Sequence, residues 1–394
     1  MKKKTVRDVD VRGKRVLARV DFNVPVDASG KITDDTRIQA ALPTIRHLSE
    51  NGAVVVLASH FGRPKGKPDK AYSLDNIALR LSELLGRPVR KLDDCIGDEV
   101  KRAISGMKPG EVALLENVRF HAGEEKNDES FAGALAEGMD LFVNDAFGAA
   151  HRSHASTAGV ARFIPAVAGF LMEREVDALS KILESPPAPF VAVLGGAKVS
   201  DKIGVLHNLV ARADALILGG GMANTFLRAR GYSMGKSLVE DDKLDVASAI
   251  LSKASAEGTQ VLLPIDLLAA EKMEPGAGTR VVDAASVPEG WMALDIGPES
   301  ARAFAASISG ARTVFWNGPM GVFEMDDFSR GTVAVAKAIA GSGALSVVGG
   351  GDSVAALEKA GVAARISHVS TGGGASLEFL EGRELPGVAC LLDK

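Results

Sequence analysis

Arg37, Arg63, Arg119 and Arg152, together with His60 and His151, are the side chains of this sequence best suited to holding an anion. A guanidinium donates two parallel hydrogen bonds to a phosphate or carboxylate and keeps its charge at any working pH. The stretch Ser59-His60-Phe61-Gly62-Arg63-Pro64-Lys65-Gly66 concentrates such groups, with Gly62 and Pro64 setting a turn from which His60 and Arg63 project. Asp21 and Asn23, two apart at the end of an apolar run, point the same way on an extended chain and suit a hydroxyl and a carboxylate. One surface arginine alone is ordinarily just solvated. Several of them, each at the end of an apolar run, form a pattern that solvation leaves unexplained.

The second half offers backbone instead of cations. Gly195-Gly196-Ala197-Lys198-Val199-Ser200-Asp201-Lys202 follows an apolar run and is expected to open a helix. Small residues let N–H groups approach a phosphate, a helix N-terminus favours negative charge, and the two lysines add point charges. Gly350-Gly351-Asp352-Ser353 repeats the arrangement, adding a carboxylate suited to Mg²⁺ and a hydroxyl for phosphate. Asp352 or Ser353 serves equally well as a plain helix N-cap, and without context the two readings stand level. The familiar nucleotide signatures are missing. Gly235-Lys236-Ser237 looks like the end of a P-loop, but Arg230 stands where the first glycine belongs. No G-x-G-x-x-G occurs, which disfavours a dinucleotide-binding dehydrogenase.

These groups need elements to carry them. Short β-branched runs alternate with helical patterns, predicting βα units and parallel sheets. The runs are Arg15–Val20, Val54–Ala58, Val112–Leu115 and Leu141–Val143, then Phe190–Leu194, Ala215–Leu218, Val261–Pro264, Thr313–Trp316 and Leu345–Val348. The early runs end in polar or cationic residues such as Asn117 and Arg119, or Asn144 and Asp145. The later ones end in glycine: Gly195-Gly196, Gly219 to Gly221, Gly318 and Gly349 to Gly351, with Gly372 to Gly374 after Ser370-Thr371. Ligands of open parallel sheets bind beyond the carboxyl ends of strands, so the halves read as two different binders. Between them, Met172, Val176, Leu179 and Leu183 line one face of a helix over Phe170–Ser185, stopped by Pro186-Pro187-Ala188-Pro189.

A length of 394 residues favours two domains. With 46% hydrophobic but only 5% aromatic residues and 43 glycines, the composition suits aliphatic parallel strands and tight turns. A net charge of −4 gives no reason to expect nucleic acid or an anionic membrane as partner. Cys95 and Cys390 lie far apart and form neither a metal pair nor a disulfide framework, which suits a reducing cytoplasm. The basic start, Met1 to Asp10, has no apolar core behind it and does not read as a signal peptide, and no apolar run approaches the ~18 residues of a membrane span.

Taken together, the strings resemble the phosphoglycerate kinase family from end to end. The matching stretches are Arg19–Pro25, Ser59–Gly66, Glu116–Phe120, Asn144–Thr157, Gly195–Ile203, Gly219–Leu227, Trp316–Glu324, Gly349–Ser353 and Ser370–Gly382. Phe61 stands where leucine is usual and Ser353 where threonine is common. The resemblance implies an α/β fold of two doubly wound parallel-sheet domains joined by a helix, with a cleft between them. It divides the chain into 1–169, a connector at 170–187, 188–375, and a segment 376–394 returning to the first domain. It implies that 3-phosphoglycerate or 1,3-bisphosphoglycerate meets Asp21, Phe22, Asn23, Arg37, His60, Phe61, Gly62, Arg63, Arg119 and Arg152. It places ATP or ADP against Gly195, Gly196, Ala197, Lys198, Lys202, Gly219, Gly220, Asn317, Pro319, Glu324, Gly350, Gly351, Asp352 and Ser353, with Mg²⁺ at Asp352. Arg37, Lys198 and Lys202 are expected to serve the transferring phosphoryl group, with Gly372 and Gly373 lining the anion. A monomer is expected on the same ground. The alternative is a metabolite-binding protein on this fold without catalysis, since fold alone does not give function.

Overall fold

The computed structural model describes residues 2–394, and the chain divides into two compact units, residues up to Asp177 with Glu384–Lys394, and Ala178–Arg383. In the first unit the apolar runs become β1 (Arg15–Arg19), β2 (Val54–Ala58), β3 (Val89–Lys91), β4 (Val112–Leu114), β5 (Leu141–Asn144) and β6 (Ala166–Ala168). They form one parallel sheet in the order β3-β4-β2-β1-β5-β6. The central strands are buried on both faces, which is why they read as continuous apolar runs instead of alternating ones. Helices α1 (Thr36–Glu50), α2 (Asp75–Leu85), α3 (Asp98–Ser105) and α4 (Glu129–Ala136) make the connections. Ile38, Ile45 and Leu48 of α1 and Ile77 and Leu81 of α2 close the core over β1 and β2.

α5 (Phe170–Glu184) runs from one unit into the other, and the division falls inside it, between Asp177 and Ala178. The second unit continues with β7 (Phe190–Leu194), α6 (Ile203–Val210), β8 (Ala215–Leu218), α7 (Gly220–Ala229), β9 (Ser233–Met234), α8 (Leu244–Glu257), β10 (Gln260–Leu262), β11 (Asp266–Ala270), β12 (Thr279–Asp283), β13 (Ser286–Val287) and β14 (Met292–Ile296). α9 (Pro298–Ser309), β15 (Thr313–Asn317), α10 (Arg330–Gly341), β16 (Leu345–Gly349), α11 (Gly351–Lys359), β17 (His368–Val369) and α12 (Gly374–Leu380) complete it, and α13 (Pro386–Ala389) lies in the returning segment. Its main sheet is again parallel, ordered β10-β8-β7-β15-β16-β17. Its core holds Trp316, Phe304 and Ile339.

Two differences from the sequence reading matter. An antiparallel sheet, β12-β11-β14, was not foreseen. It offers little apolar signal, because four of the five residues of β12 are exposed. The returning segment begins at Glu384, later than the expected 376, because α12 packs on α6 and Asn208 donates to the Leu380 carbonyl at 2.5 Å within the second unit. From Glu384 the chain packs on the first unit: Gly387 N–H donates to Ala150 O (2.9 Å), Leu392 N–H to Ala166 O of β6 (2.9 Å), and Lys4 N–H to Leu392 O (2.7 Å).

Candidate active site

The carboxyl ends of β1, β2 and β4 bring Asp21, Asn23, His60, Gly62 and Arg119 together with Arg37 of α1. Asp21, just past β1, accepts from Arg37 Nη1 on α1 at 2.8 Å and from Asn23 N–H at 3.2 Å. Asn23 Oδ1 in turn accepts from the Gly62 amide at 2.9 Å, tying the β1 end to the β2 loop. Gly62 has φ +59, and a Cβ there would sit 2.3 Å from the Tyr72 ring, so only glycine fits this turn. Arg119 Nη1 donates to Gly62 O at 2.7 Å, and its Nε lies 3.2 Å from Glu125 Oε1. Arg152 Nε donates to His151 Nε2 at 3.1 Å, while Arg63 is exposed.

Three expectations change here. Asp21 is mostly buried and accepts from Arg37, so besides facing the site it orients that guanidinium. Phe22 is fully buried in the core and Phe61 nearly so, and their N–H groups donate to Ser59 Oγ (2.9 Å) and Asn117 Oδ1 (3.2 Å), so neither ring is open to a ligand. His60, grouped above with the cations, is neutral. Burial drives its pKa down to about 3, and Arg19, Arg119 and Arg37 push the same way against the pull of Asp21.

In the second unit the glycine ends of β7, β8 and β15 pack against one another. A Cβ on Gly195 would lie 2.1 Å from the Pro319 carbonyl, and one on Gly220 would lie 2.5 Å from that of Gly196. These contacts correct the phosphate-loop reading. Gly195 N–H donates to Asn317 O (3.0 Å), Gly196 N–H to Pro319 O (2.9 Å) and Gly220 N–H to Met320 O (3.0 Å), so none of the three is available to a ligand. Nor does 195–198 open a helix directly: a 3₁₀ turn at Ser200–Lys202 intervenes and α6 starts at Ile203. Lys202 is buried, its Nζ donating to Gly195 O at 2.6 Å, and burial lowers its pKa to about 8 against the raising influence of Asp201 and Asp352. Lys198 is exposed.

Ser353 is also redirected. It is fully buried, with Oγ accepting from Gly318 N–H at 2.6 Å, so it pins the turn after β15 instead of facing a phosphate. Asn317 Nδ2 donates to Gly349 O at 2.8 Å. Asp352 is exposed in the first turn of α11, and a Cβ on Gly351 would meet nothing within 4 Å, so backbone there is open. Gly372 N–H donates to Ser370 Oγ at 3.1 Å, and Gly373 precedes α12 at φ +52.

Gly196, Ala197, Gly220 and Gly221 line a cavity of about 520 Å³ together with Leu267, Met292, Leu294 and Val322. Pro319, Glu324 and Asp352 also border it. An apolar slot of this size with few polar groups suits a planar base. Sequence reasoning missed its apolar side, Leu267, Met292 and Leu294 among others, and two of its charged residues. Lys236 was considered only as part of a P-loop, and Asp295 not at all. Asp295 is buried, accepts from Gly331 N–H (2.7 Å) and Ile296 N–H (2.9 Å), and is pushed up to about 7 by burial. The glycines at 321 and 331 are its sequence trace, since a Cβ on either would fall within 2.5 Å of its carboxylate.

Two parallel α/β units, one with arginines at its strand ends and one with a glycine-walled slot beside a buried lysine, define a phosphotransferase. The sequence profile of the phosphoglycerate kinase family matches residues 6–383. The chain is 59% identical to a phosphoglycerate kinase of Moorella thermoacetica over 394 residues, covering all of both proteins. It is 60% identical to one from Rubrobacter xylanophilus, covering all of this chain and 99% of the other. The structure of phosphoglycerate kinase from Coxiella burnetii superposes with a TM-score of 0.90 at 45% identity, and that from Pyrococcus horikoshii with 0.86 at 38%, each over 98% of both chains. The chain belongs to the phosphoglycerate kinase family.

Proposed function

We propose that this chain transfers the acyl phosphate of 1,3-bisphosphoglycerate to ADP, giving 3-phosphoglycerate and ATP, and runs the reverse reaction when ATP is in excess. The observation that carries this reading is Lys202. A buried ammonium held by one carbonyl, beside the Gly196 wall of an apolar slot, is placed for a nucleotide's phosphates and for little else. The base occupies the slot between Gly220 and Leu294, and Glu324 at the rim accepts from the ribose. Arg37, oriented by Asp21, Arg63 and Arg152 hold the phosphoglycerate, with His60 as a neutral donor.

In the ATP-forming direction a β-phosphate oxygen of ADP forms the new bond to phosphorus while the bond to the acyl oxygen breaks. The carboxylate leaves readily, so no general base is needed, and catalysis rests on positioning and charge. Arg37 and Lys202 meet the transferring group and Lys198 follows the shifting charge. The donor set suits Mg²⁺, which binds through one or two carboxylates plus phosphate oxygens: Asp352 is a single exposed carboxylate beside open backbone at Gly351. Held there by Asp352, Mg²⁺ would supply charge neutralisation at the nucleotide's oxygens. Two free thiols, Cys95 and Cys390, fit a reducing cytoplasm. Among the described residues no helix is long and apolar enough to cross a membrane.

A coupled assay supplying 1,3-bisphosphoglycerate, ADP and Mg²⁺ tests the reading by ATP release. Binding of both ligands without ATP formation would replace it with the non-catalytic alternative.

A further inference from the structure

Arg19 is a charged residue inside an apolar strand, and it is 1% exposed. All of its work is internal. Nε donates to Ser156 Oγ at 2.8 Å, Nη1 donates to the Val20 carbonyl, and Nη2 lies 3.1 Å from His60 Nδ1. Ser156 passes the arrangement on to Glu124, a fully buried carboxylate, with Oγ donating to Oε1 at 2.6 Å and N–H to Oε2 at 2.9 Å. The guanidinium is therefore held in one orientation from its far side, and its charge has a counterpart one serine away.

A guanidinium carries only donors, so the His60 nitrogen facing it must present a lone pair. In a neutral imidazole the proton then resides on Nε2. The competing influence is Asp21, whose Oδ1 lies 3.9 Å from the same Nδ1 and would favour a proton there. That separation is beyond hydrogen-bond reach, and both Asp21 oxygens are engaged, by Arg37 and by the Asn23 amide. The 3.1 Å contact decides the tautomer. His60 Nε2 makes no hydrogen bond among the described residues.

We propose that Arg19 is a positioning residue that fixes His60 as the Nε2–H tautomer, so that the anion site offers its ligand a neutral, directed donor at that point. The proposal rests on the reading that His60 contacts the phosphoglycerate. A protonated His60 would turn an Nδ1–H against the Nη2–H of Arg19. The charged groups facing the ring are Arg19, Arg37, Arg119 and Asp21, three cations against one anion, and burial adds to them. His60 therefore stays neutral as pH falls through the range where an ordinary histidine protonates.

Long-range ¹H–¹⁵N correlation spectra of the ¹⁵N-labelled full chain, with the His60 signals assigned from their absence in His60→Gln, read the tautomer directly. The expected pattern is a protonated Nε2 and an unprotonated Nδ1, unchanged between pH 7.5 and 5. An Nδ1–H tautomer, or an imidazolium appearing above pH 5, overturns the proposal. Arg19→Lys keeps a donor and should keep the pattern, whereas Arg19→Met should lose it. Because Arg19→Met strands Glu124 and can fail to fold, a second pair carries the ligand half. His60→Gln places an amide N–H near the Nε2 position and His60→Asn near Nδ1, so 3-phosphoglycerate should bind Gln about tenfold more tightly than Asn, the size of one lost hydrogen bond. Equal affinity of the two variants overturns that half. With the spectral pattern intact, it places the fault in the site reading and not in Arg19.

Discussion

Lys202 is where charge, burial and the reaction meet most closely. Burial lowers the pKa of its ammonium to about 8, so above that pH the empty site increasingly holds a neutral amine, which must take up a proton from solvent when a nucleotide binds. The dissociation constant of Mg-ADP should rise roughly fivefold between pH 8 and 9 in the wild type, by the one-proton titration of a group with that pKa. In Lys202→Met binding should be weaker throughout and flat over the same interval, as isothermal titration at both pH values would read. A wild-type profile as flat as the variant's would separate Lys202 from the phosphates. Asp352 makes a different prediction because it is exposed and holds nothing in the fold. Asp352→Ala should leave thermal stability unchanged and lower kcat on the order of 10²-fold at ordinary Mg²⁺, the typical loss of one preorganised electrostatic group. Wild-type turnover in that variant would move the metal elsewhere.

At the scale of elements, the start of α5 depends on a buried carboxyl in the first unit. Asp145, just past β5, accepts from Leu171 and Met172 N–H through Oδ1 at 2.8 and 3.1 Å, and Gly169 leaves it room, since a Cβ there would lie 2.2 Å from Oδ1. Its Oδ2 has no hydrogen-bond partner. Burial raises its pKa from 3.8 to about 6, outweighing the Thr44 hydroxyl, the Met172 and Leu171 amides and the charge of Arg174. The native state thus keeps a proton that the unfolded state gives up near 3.8. The stability this contributes is present below that value and is lost as pH rises to about 6, on the order of 3 kcal/mol in total. Denaturant unfolding at pH 4 and 7 should show Asp145→Asn gaining on the wild type by most of that amount as pH rises. A constant difference between them would mean that the carboxyl is ionised throughout. The motif that holds Asp145 was legible in the sequence; its protonation was not. The same division runs through the fold. β1, β2, β7 and β15 were readable because strands buried on both faces are apolar throughout. The exposed β12 was not, and neither was the delay of α6 to Ile203, which depends on Asn317 and Pro319 capturing the Gly195 and Gly196 amides from over 120 residues away. The residues proposed for the anion were named from the sequence, whereas Arg19, which positions one of them, was not singled out, although its place inside the Arg15–Arg19 strand was an available signal. The neutrality of His60 depends on burial and on neighbours that only folding assembles.

Over the whole molecule, the proposed donor and acceptor belong to different units, joined by α5 with the division at Asp177 and Ala178. In-line transfer requires the reacting atoms to approach within about 3–3.5 Å. Rigid-body motion of the two units would bring ligands held on separate units into line, and domains of one chain permit such motion by default. Such an approach also keeps water from the acyl phosphate at the moment of transfer. The contacts that reward it exist only when both ligands are present, because each ligand alone lacks its counterpart. 3-Phosphoglycerate and Mg-nucleotide together should consequently reduce the radius of gyration by more than the sum of their separate effects, a synergy set by differential affinity for the compact state. Small-angle X-ray scattering on the unliganded, singly liganded and doubly liganded protein measures this directly. Glu184→Gly, at the last turn of α5 and exposed, should leave both binding constants within about twofold while altering the doubly liganded radius, since it touches neither site and loosens only the connector. One radius across all four ligand states would mean that transfer occurs without such motion and would remove α5 from the mechanism.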